Sequence, residues 1–431
     1  MRYPAYIENK FAFPDFYRVK ISHPQRGLEN PVAVLNAKLQ KILPRTGIKP
    51  GHTVAIGVGS RGIANISQLV TALCRYIREM GASPFIIPAM GSHGGGTPDG
   101  QVQVLHKLGI SEARCGVPIL SSMSVDRVGQ VMGEVPVFFS REALAMDHAI
   151  CINRIKPHTK FKGPVESGLY KMLCIGMGKH QGALIYHNMA LKHGFFPLLK
   201  AMGDEIVQKT NIRFGIAVVE DFFDQTMDIE PVLASDIFAR EPALLAAAWD
   251  QFPRLPFNEL DVLVIQRIGK EISGSGMDPN VTGRTFDFME DDFSDNLKVG
   301  RIAILNLSEK TAGNGIGLGN ADIITEKVFK SLDYESTLMN AMTSMSLRKA
   351  FIPIRLPSDE KAIQAAFTTL GPLDPLSTRA VIIKDTLHVQ EFWASQALLP
   401  NLTAMDSAEI LEKLVLSFDE TGELKNRDHE T

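Results

Sequence analysis

The sequence predicts an α/β protein built as two α/β domains with mixed or parallel sheets, and three observations carry that reading. Strand-like and helix-like runs alternate along the chain. Glycines close several of the strand-like runs just before a helical pattern begins. The 431 residues also exceed the roughly 250–300 at which a single hydrophobic core stops growing. The stretch RLPFNEL (254–260) reads as a connection, which places one domain over residues 1–255 and a second over 256–431, with the active site expected in the cleft between them.

HTVAIGVGS (52–60) is a β-rich run ending in glycines, and residues 63–80 then carry Ile63, Ile66, Val70, Leu73 and Ile77 at helical spacing. PFIIPAM (84–90) is the next strand, followed by the loop GSHGGG. Thr97 has the position of a helix N-cap, with Pro98 at the first helical position and Asp99 in the first turn. HAICIN (148–153) and FGIAVVE (214–220) read as buried strands of the same domain. LDVLVIQRIG (260–269) opens the second domain, which continues through RIAILNL (301–307), helical stretches around 322–332, and RAVIIKD (379–385).

Composition narrows the function. A hydrophobic content of 45%, a charged content of 22% and a net charge of -3 describe an ordinary globular chain with no basic field for nucleic acid. The longest apolar stretches, such as PALLAAAW (242–249), fall far short of the roughly 20 residues of a membrane span. The first residues have no signal-peptide pattern, so a cytoplasmic location is expected. Cys74, Cys115, Cys151 and Cys174 are widely spaced without a CxxC, which argues for reduced, mostly buried thiols. Small molecules or other proteins are the expected partners, with neither nucleic acid nor membrane.

Strands that end in glycine present polar loops at the carboxyl edge of a sheet, where α/β folds bind ligands. Four such loops carry the candidate residues: 59–62, 91–100, 153–163 and 266–284. Gly57, Gly59 and Gly62 have GxGxxG spacing, but no acid ends a following strand at the required distance. Arg61 in that loop is either a carboxylate-holding guanidinium or a surface arginine in a turn. His93 stands among glycines in open backbone, ahead of a helix whose N–H groups suit an anion. His158 ends an apparent strand, and an imidazole there suits proton transfer at neutral pH. In GLYKMLCIGMGKHQGALIYH (168–187), Lys171, His180 and His187 sit in a run of glycine and small or apolar residues with none of the spacings of a zinc site.

Together, GVGSRG, MGSHGG, HTKFKG (158–163), SGLYKM around Lys171 and YHNM around His187 resemble the N-terminal domain of the lactate racemase family. The resemblance spans roughly residues 54–189, with weaker similarity beyond. It implies an isomerase, a 2-hydroxyacid racemase or epimerase, that inverts C2 by reversible hydride transfer to a nickel-pincer nucleotide. It further implies that Lys171 tethers this pyridinium mononucleotide, that His187 completes the nickel coordination, that Gly94, Gly95 and Thr97 contribute to cofactor binding, and that His93 and His158 are the catalytic acid/base pair. Arg61 would hold the substrate carboxylate, and the enzymes that assemble the cofactor would be partners.

Two departures matter. HTKFKGPVESGLYK is longer than the family's segment and introduces Lys162 and Glu166, and DPNVTGR stands where the racemases carry a Tyr-Gln-x-x-Lys stretch. Lys270 and Arg284 are therefore the candidates for the second carboxylate contact, and Glu271, Ser273, Asp278 and Asn280 suggest a larger sugar acid such as an aldonate. The alternatives are a non-catalytic binding or sensor protein for an acidic metabolite, or a redox enzyme on the same fold.

Overall fold

β-Branched and aliphatic runs such as TVAIGV and IRFGIAVVE bury nearly every side chain, as strands covered on both faces must. A computed structural model describes residues 3–60, 62–285 and 297–425, and the chain divides into two compact units. One comprises residues 25–252; the other joins residues 1–24 to 253–431.

The unit of residues 25–252 is organised by a five-stranded sheet in the order Ser83–Pro88, Thr53–Val58, His148–Arg154, Ile212–Glu220, Thr226–Leu233. The first four strands are parallel and the last is antiparallel. Helix Ile66–Glu79 buries Ile66, Leu69, Val70, Leu73 and Ile77 against this sheet, matching the helical spacing in the sequence. Residues after Val58, Pro88 and Arg154 all emerge at one carboxyl edge, so the loops bearing Ser60, His93 and His158 are brought to the same rim.

The other unit holds an eight-stranded mixed sheet in the order Ile354–Leu356, Ile323–Thr325, Lys298–Ile304, Glu259–Ile265, Ala380–Ile383, Glu391–Ser395, Phe16–Ile21, Ala408–Leu414. The first five strands are parallel and the rest antiparallel. Two expectations are corrected here. Residues up to Pro24 belong with the C-terminal part, not with the expected domain 1–255, because Phe16–Ile21 completes the sheet between two antiparallel strands and buries Phe16 beside Val262 and Trp393. The stretch read as helical around 322–332 begins as a strand, since Ile323 and Ile324 pair with Ala303 and Ile304; the helix Glu326–Ser331 follows.

All four cysteines are free and buried. Among the described residues, no helix is long and apolar enough to cross a membrane.

Candidate functional site

The glycines of GVGS serve packing. A methyl at Gly57 would lie 2.6 Å from Met177 Sδ, and one at Gly59 2.9 Å from Met172 Cε. Their absence of side chains lets the segment that carries Lys171 lie directly over the sheet's carboxyl edge. That segment is a short helix, Leu169–Lys171, that widens into a π-helical turn over Met172–Gly176. The Met177 N–H bonds back to the Met172 carbonyl at 2.9 Å, five residues earlier. Such π turns recur at functional sites, and this one begins immediately after Lys171.

Buried groups hold the turn in place. Glu241 Oε2 accepts from the Leu169 and Tyr170 N–H groups at 3.1 and 3.2 Å, a carboxyl cap on the helix start. Asn153 Nδ2 donates to the Gly168 carbonyl at 2.8 Å, and Tyr170 Oη donates to Asp204 at 2.8 Å. Lys179, with a left-handed φ of 55° and no exposure, donates from Nζ to the Pro88 carbonyl at 2.6 Å. Burial pushes its amine down to about 8. Burial likewise pushes the Glu241 carboxyl up to about 8, against the two N–H groups that favour its charge. The protonated acid therefore prevails at neutral pH. Because the folded value exceeds the ordinary 4.5, the stability tied to Glu241 is present below pH 4.5 and is lost as pH rises through about 8. In urea unfolding at neutral pH, Glu241→Gln is expected to cost under about 1 kcal/mol and to flatten this pH dependence, while Glu241→Ala costs about 2–3 kcal/mol. Equal losses in both variants would refute the neutral cap.

The two candidate bases differ. His93 is exposed at the rim, and its Nδ1 is hydrogen-bonded to Ser60 Oγ. Its loop is held from below by Gln101, fully buried, which donates from Nε2 to the carbonyls of Gly91 and His93 at 2.9 and 3.3 Å. Gly94, Gly95 and Gly96 all have left-handed φ, and Gly94 packs so closely on Gly100 that a methyl would lie 2.5 Å from its carbonyl carbon. Thr97 caps its helix as expected: Thr97 Oγ1 accepts the Gly100 N–H at 3.2 Å and the Thr97 carbonyl accepts that of Gln101 at 3.0 Å. The cap engages those two N–H groups, and the left-handed glycines shape the loop ahead of it.

His158 Nδ1 accepts from the Lys160 N–H at 3.0 Å, which leaves the proton of the neutral ring on Nε2. Its own N–H donates to Glu166 Oε2 at 2.6 Å, so Glu166 of the longer segment braces this loop. Lys162 lies over the Trp249 ring at 4.0 Å. An aromatic ladder leads from His158 through Phe161 (4.5 Å), Phe195 (5.6 Å) and Tyr186 (6.1 Å) to His187 (5.5 Å). The imidazole of His158 lies well below its usual value through burial first and then through the positive charges of Lys171, Lys160 and Lys156. Burial, with Lys160 and Lys171, pushes His187 down to about 4. This corrects the expectation of a His158 poised near neutral pH: before an anion binds it is a neutral base among cations.

His187 Nδ1 is buried without a hydrogen-bond partner among the described residues. No group of three or more His, Cys, Asp or Glu able to hold a metal ion occurs among those residues. A bare ion is therefore poorly served, whereas an anionic group bringing its own donor atoms needs only one imidazole. Lys171, His187 and the surrounding lysines fit such a group. His180 is exposed beside the glycine loop, its Nδ1 3.3 Å from where a methyl on Gly96 would lie.

Arg61 lies outside the described residues. In the other unit, Lys270 lies exposed in the loop after Ile265, its N–H bonded to Thr311 Oγ1 at 3.2 Å. Arg284 is committed elsewhere. It pairs with Asp322 at 2.5 Å and donates to the Val299 carbonyl at 2.7 Å, stapling the amino ends of two strands rather than facing the carboxyl edge. Ser273, Ser275, Asp278 and Asn280 are buried and bonded within their own loop, Ser273 to Ser275 at 3.1 Å and Asp278 to Asn280 at 2.9 Å, so they offer little to extra substrate hydroxyls.

The fold is similar to that of a lactate racemase. The chain is similar to the structure of the lactate racemase apoprotein from Thermoanaerobacterium thermosaccharolyticum at 14% identity, over 86% of this chain and 94% of that one, with a TM-score of 0.54. A structure of a protein from Thermotoga maritima is similar at 14% identity over 76% and 84% of the two chains, with a TM-score of 0.49. No protein-family model and no curated protein sequence matches. At this identity the likeness establishes the fold.

Proposed function

We propose that the chain is a racemase or epimerase acting at C2 of a 2-hydroxy acid, with a nickel-pincer nucleotide tethered to Lys171 and ligated by His187. The observation that carries this reading is the buried, unpartnered His187 Nδ1 close to Lys171 and Lys160 on a lactate racemase fold. When bound, the cofactor supplies a hydride acceptor for C2. The chain's own residues do the rest. Lys156, Lys160 and Lys171 give the rim a positive field for the phosphate of the cofactor and the carboxylate of the acid. His93 and His158 follow strands that flank the central Thr53–Val58, which separates their strand ends by about 10 Å. A base on each side of a planar C2 suits removal of the hydroxyl proton from one enantiomer and its return to the other. Glu166 braces the His158 backbone, the Lys160 N–H orients its ring, and Ser60 bonds the His93 ring. Arg61, next in sequence after Ser60, would hold the carboxylate while C2 turns over.

Intact-protein mass spectrometry with metal analysis, on protein co-produced with the pincer-cofactor pathway, tests the proposal. A mass increment mapping to Lys171 with near-stoichiometric nickel is the expected result. An unmodified, nickel-free protein would sink it in favour of a binding protein for an acidic metabolite.

A further inference from the structure

In the unit of residues 1–24 and 253–431, helix Tyr334–Thr343 is amphipathic in the wrong sense for a chain standing alone. Its inner face is small or polar: Ala341 packs against Ile316 and Ala350, and Thr337 Oγ1 accepts the Gly315 N–H at 2.8 Å. Its large apolar side chains, Tyr334, Leu338, Met339 and Met342, are exposed instead. A surface helix ordinarily turns such residues toward its own core.

The chain that follows has the same character. Leu347, Phe351, Ile352 and Ile354 are exposed as well, and Ile354 opens Ile354–Leu356, the strand at one edge of the eight-stranded sheet. Ala341 and Ala350 join the helix to the turn Leu347–Ala350, so the two groups of side chains lie on adjoining elements. Pro353 and Pro357 bracket the three-residue edge strand and discourage another strand from adding to it. The face is therefore open to side-chain packing and closed to sheet extension.

Area and charge say what covers it. These eight side chains are 37–69% exposed. At about 200 Å² for a large apolar side chain they present roughly 800 Å², more than the roughly 300–600 Å² of the largest patch on a typical monomer and about what each partner gives to a stable interface. The exposed charged residues within 334–354 are Glu335 and Arg348, one of each sign. The face thus has no net charge to repel an identical face or to attract a strongly acidic or basic partner. Both properties suit an isologous pairing about a two-fold axis.

We infer that this face, built from Tyr334–Thr343, the turn Leu347–Ala350 and the edge strand Ile354–Leu356, is the contact between two copies of the chain. The pairing is independent of the reaction and of the cofactor.

Sedimentation velocity on the full chain, produced without the cofactor pathway and followed over about 1–100 µM, reads the association directly. A dimer at the upper end of that range is the expected result. Met342→Glu and Phe351→Glu put a carboxylate on separate elements of the face, and each should raise the dimer dissociation constant about a hundredfold or more with the far-UV circular dichroism unchanged. Should one variant lose its circular dichroism signal, the other decides. Val415→Glu, at an exposed residue just past the strand at the opposite edge of the sheet, should leave the dimer intact. A dimer that withstands both carboxylates, or one that Val415→Glu dissociates, would overturn the pairing. So would a chain that stays monomeric throughout, which would leave the face to a partner of another kind.

Discussion

Lys171→Ala protein made alongside the cofactor-assembly enzymes is expected to emerge without added mass, without nickel and without epimerase activity, whereas His187→Ala protein should keep the mass increment and lose the metal. On the proposed reading, the two residues would hold different parts of the same group. Lys171 ends a helical turn locked by Glu241, Asn153 and Tyr170, so its stem is aimed by buried hydrogen bonds that Ala leaves intact. His187 is held neutral by burial, with a value of about 4, so no proton competes with a metal at neutral pH. His93→Ala should keep both mass and nickel and lose about 10²–10⁴ of the rate, the usual scale for a general acid–base group. Mass spectrometry, metal analysis and turnover on the three variants separate these roles. Nickel retained in His187→Ala would remove that imidazole from the coordination sphere.

Gly168→Ala is expected to destabilise the turn that carries Lys171. A Cβ at this position would lie 1.9 Å from Glu241 Oε1 and 2.7 Å from Ile155 Cδ1, and the Gly168 carbonyl is fixed by Asn153. The methyl must push away the cap of the Lys171 turn, at a cost of about 3 kcal/mol. In the Glu241→Ala background one wall of the clash is gone while Ile155 remains, so the second substitution should cost about 1 kcal/mol less than it does alone. Urea unfolding of the four proteins of this cycle measures the coupling. Strict additivity would show that the glycine is needed for some reason other than room for Glu241.

Much of the site was legible because glycine and histidine are conspicuous where strands end. His93, His158, Lys171 and His187 lie in one unit, with Lys171 and His187 both close enough to act on His158. Sequence spacing could not distinguish a glycine that admits a nucleotide from one that admits Met172 or Met177, since both need only the absence of Cβ. Arg284 looked like a substrate clamp because a basic residue in a polar loop has no visible partner in one dimension; Asp322 lies 38 positions away. Glu241, Gln101 and Lys179 gave no usable signal, because a polar residue in an otherwise amphipathic or glycine-rich run reads as solvated until the fold buries it.

The sequence by itself determined the alternation of strands and helices, the helix face of residues 66–79, the Thr97 cap and the loops that bear the chemistry. Each depends on periodicity or on a contact a few residues long. The tertiary structure decided which unit claims residues 1–24, which polar groups are spent on the fold, and that His158 and His187 are neutral imidazoles in a field of lysines. Those outcomes depend on burial and on charges brought together from distant positions, quantities that do not exist until the chain has folded.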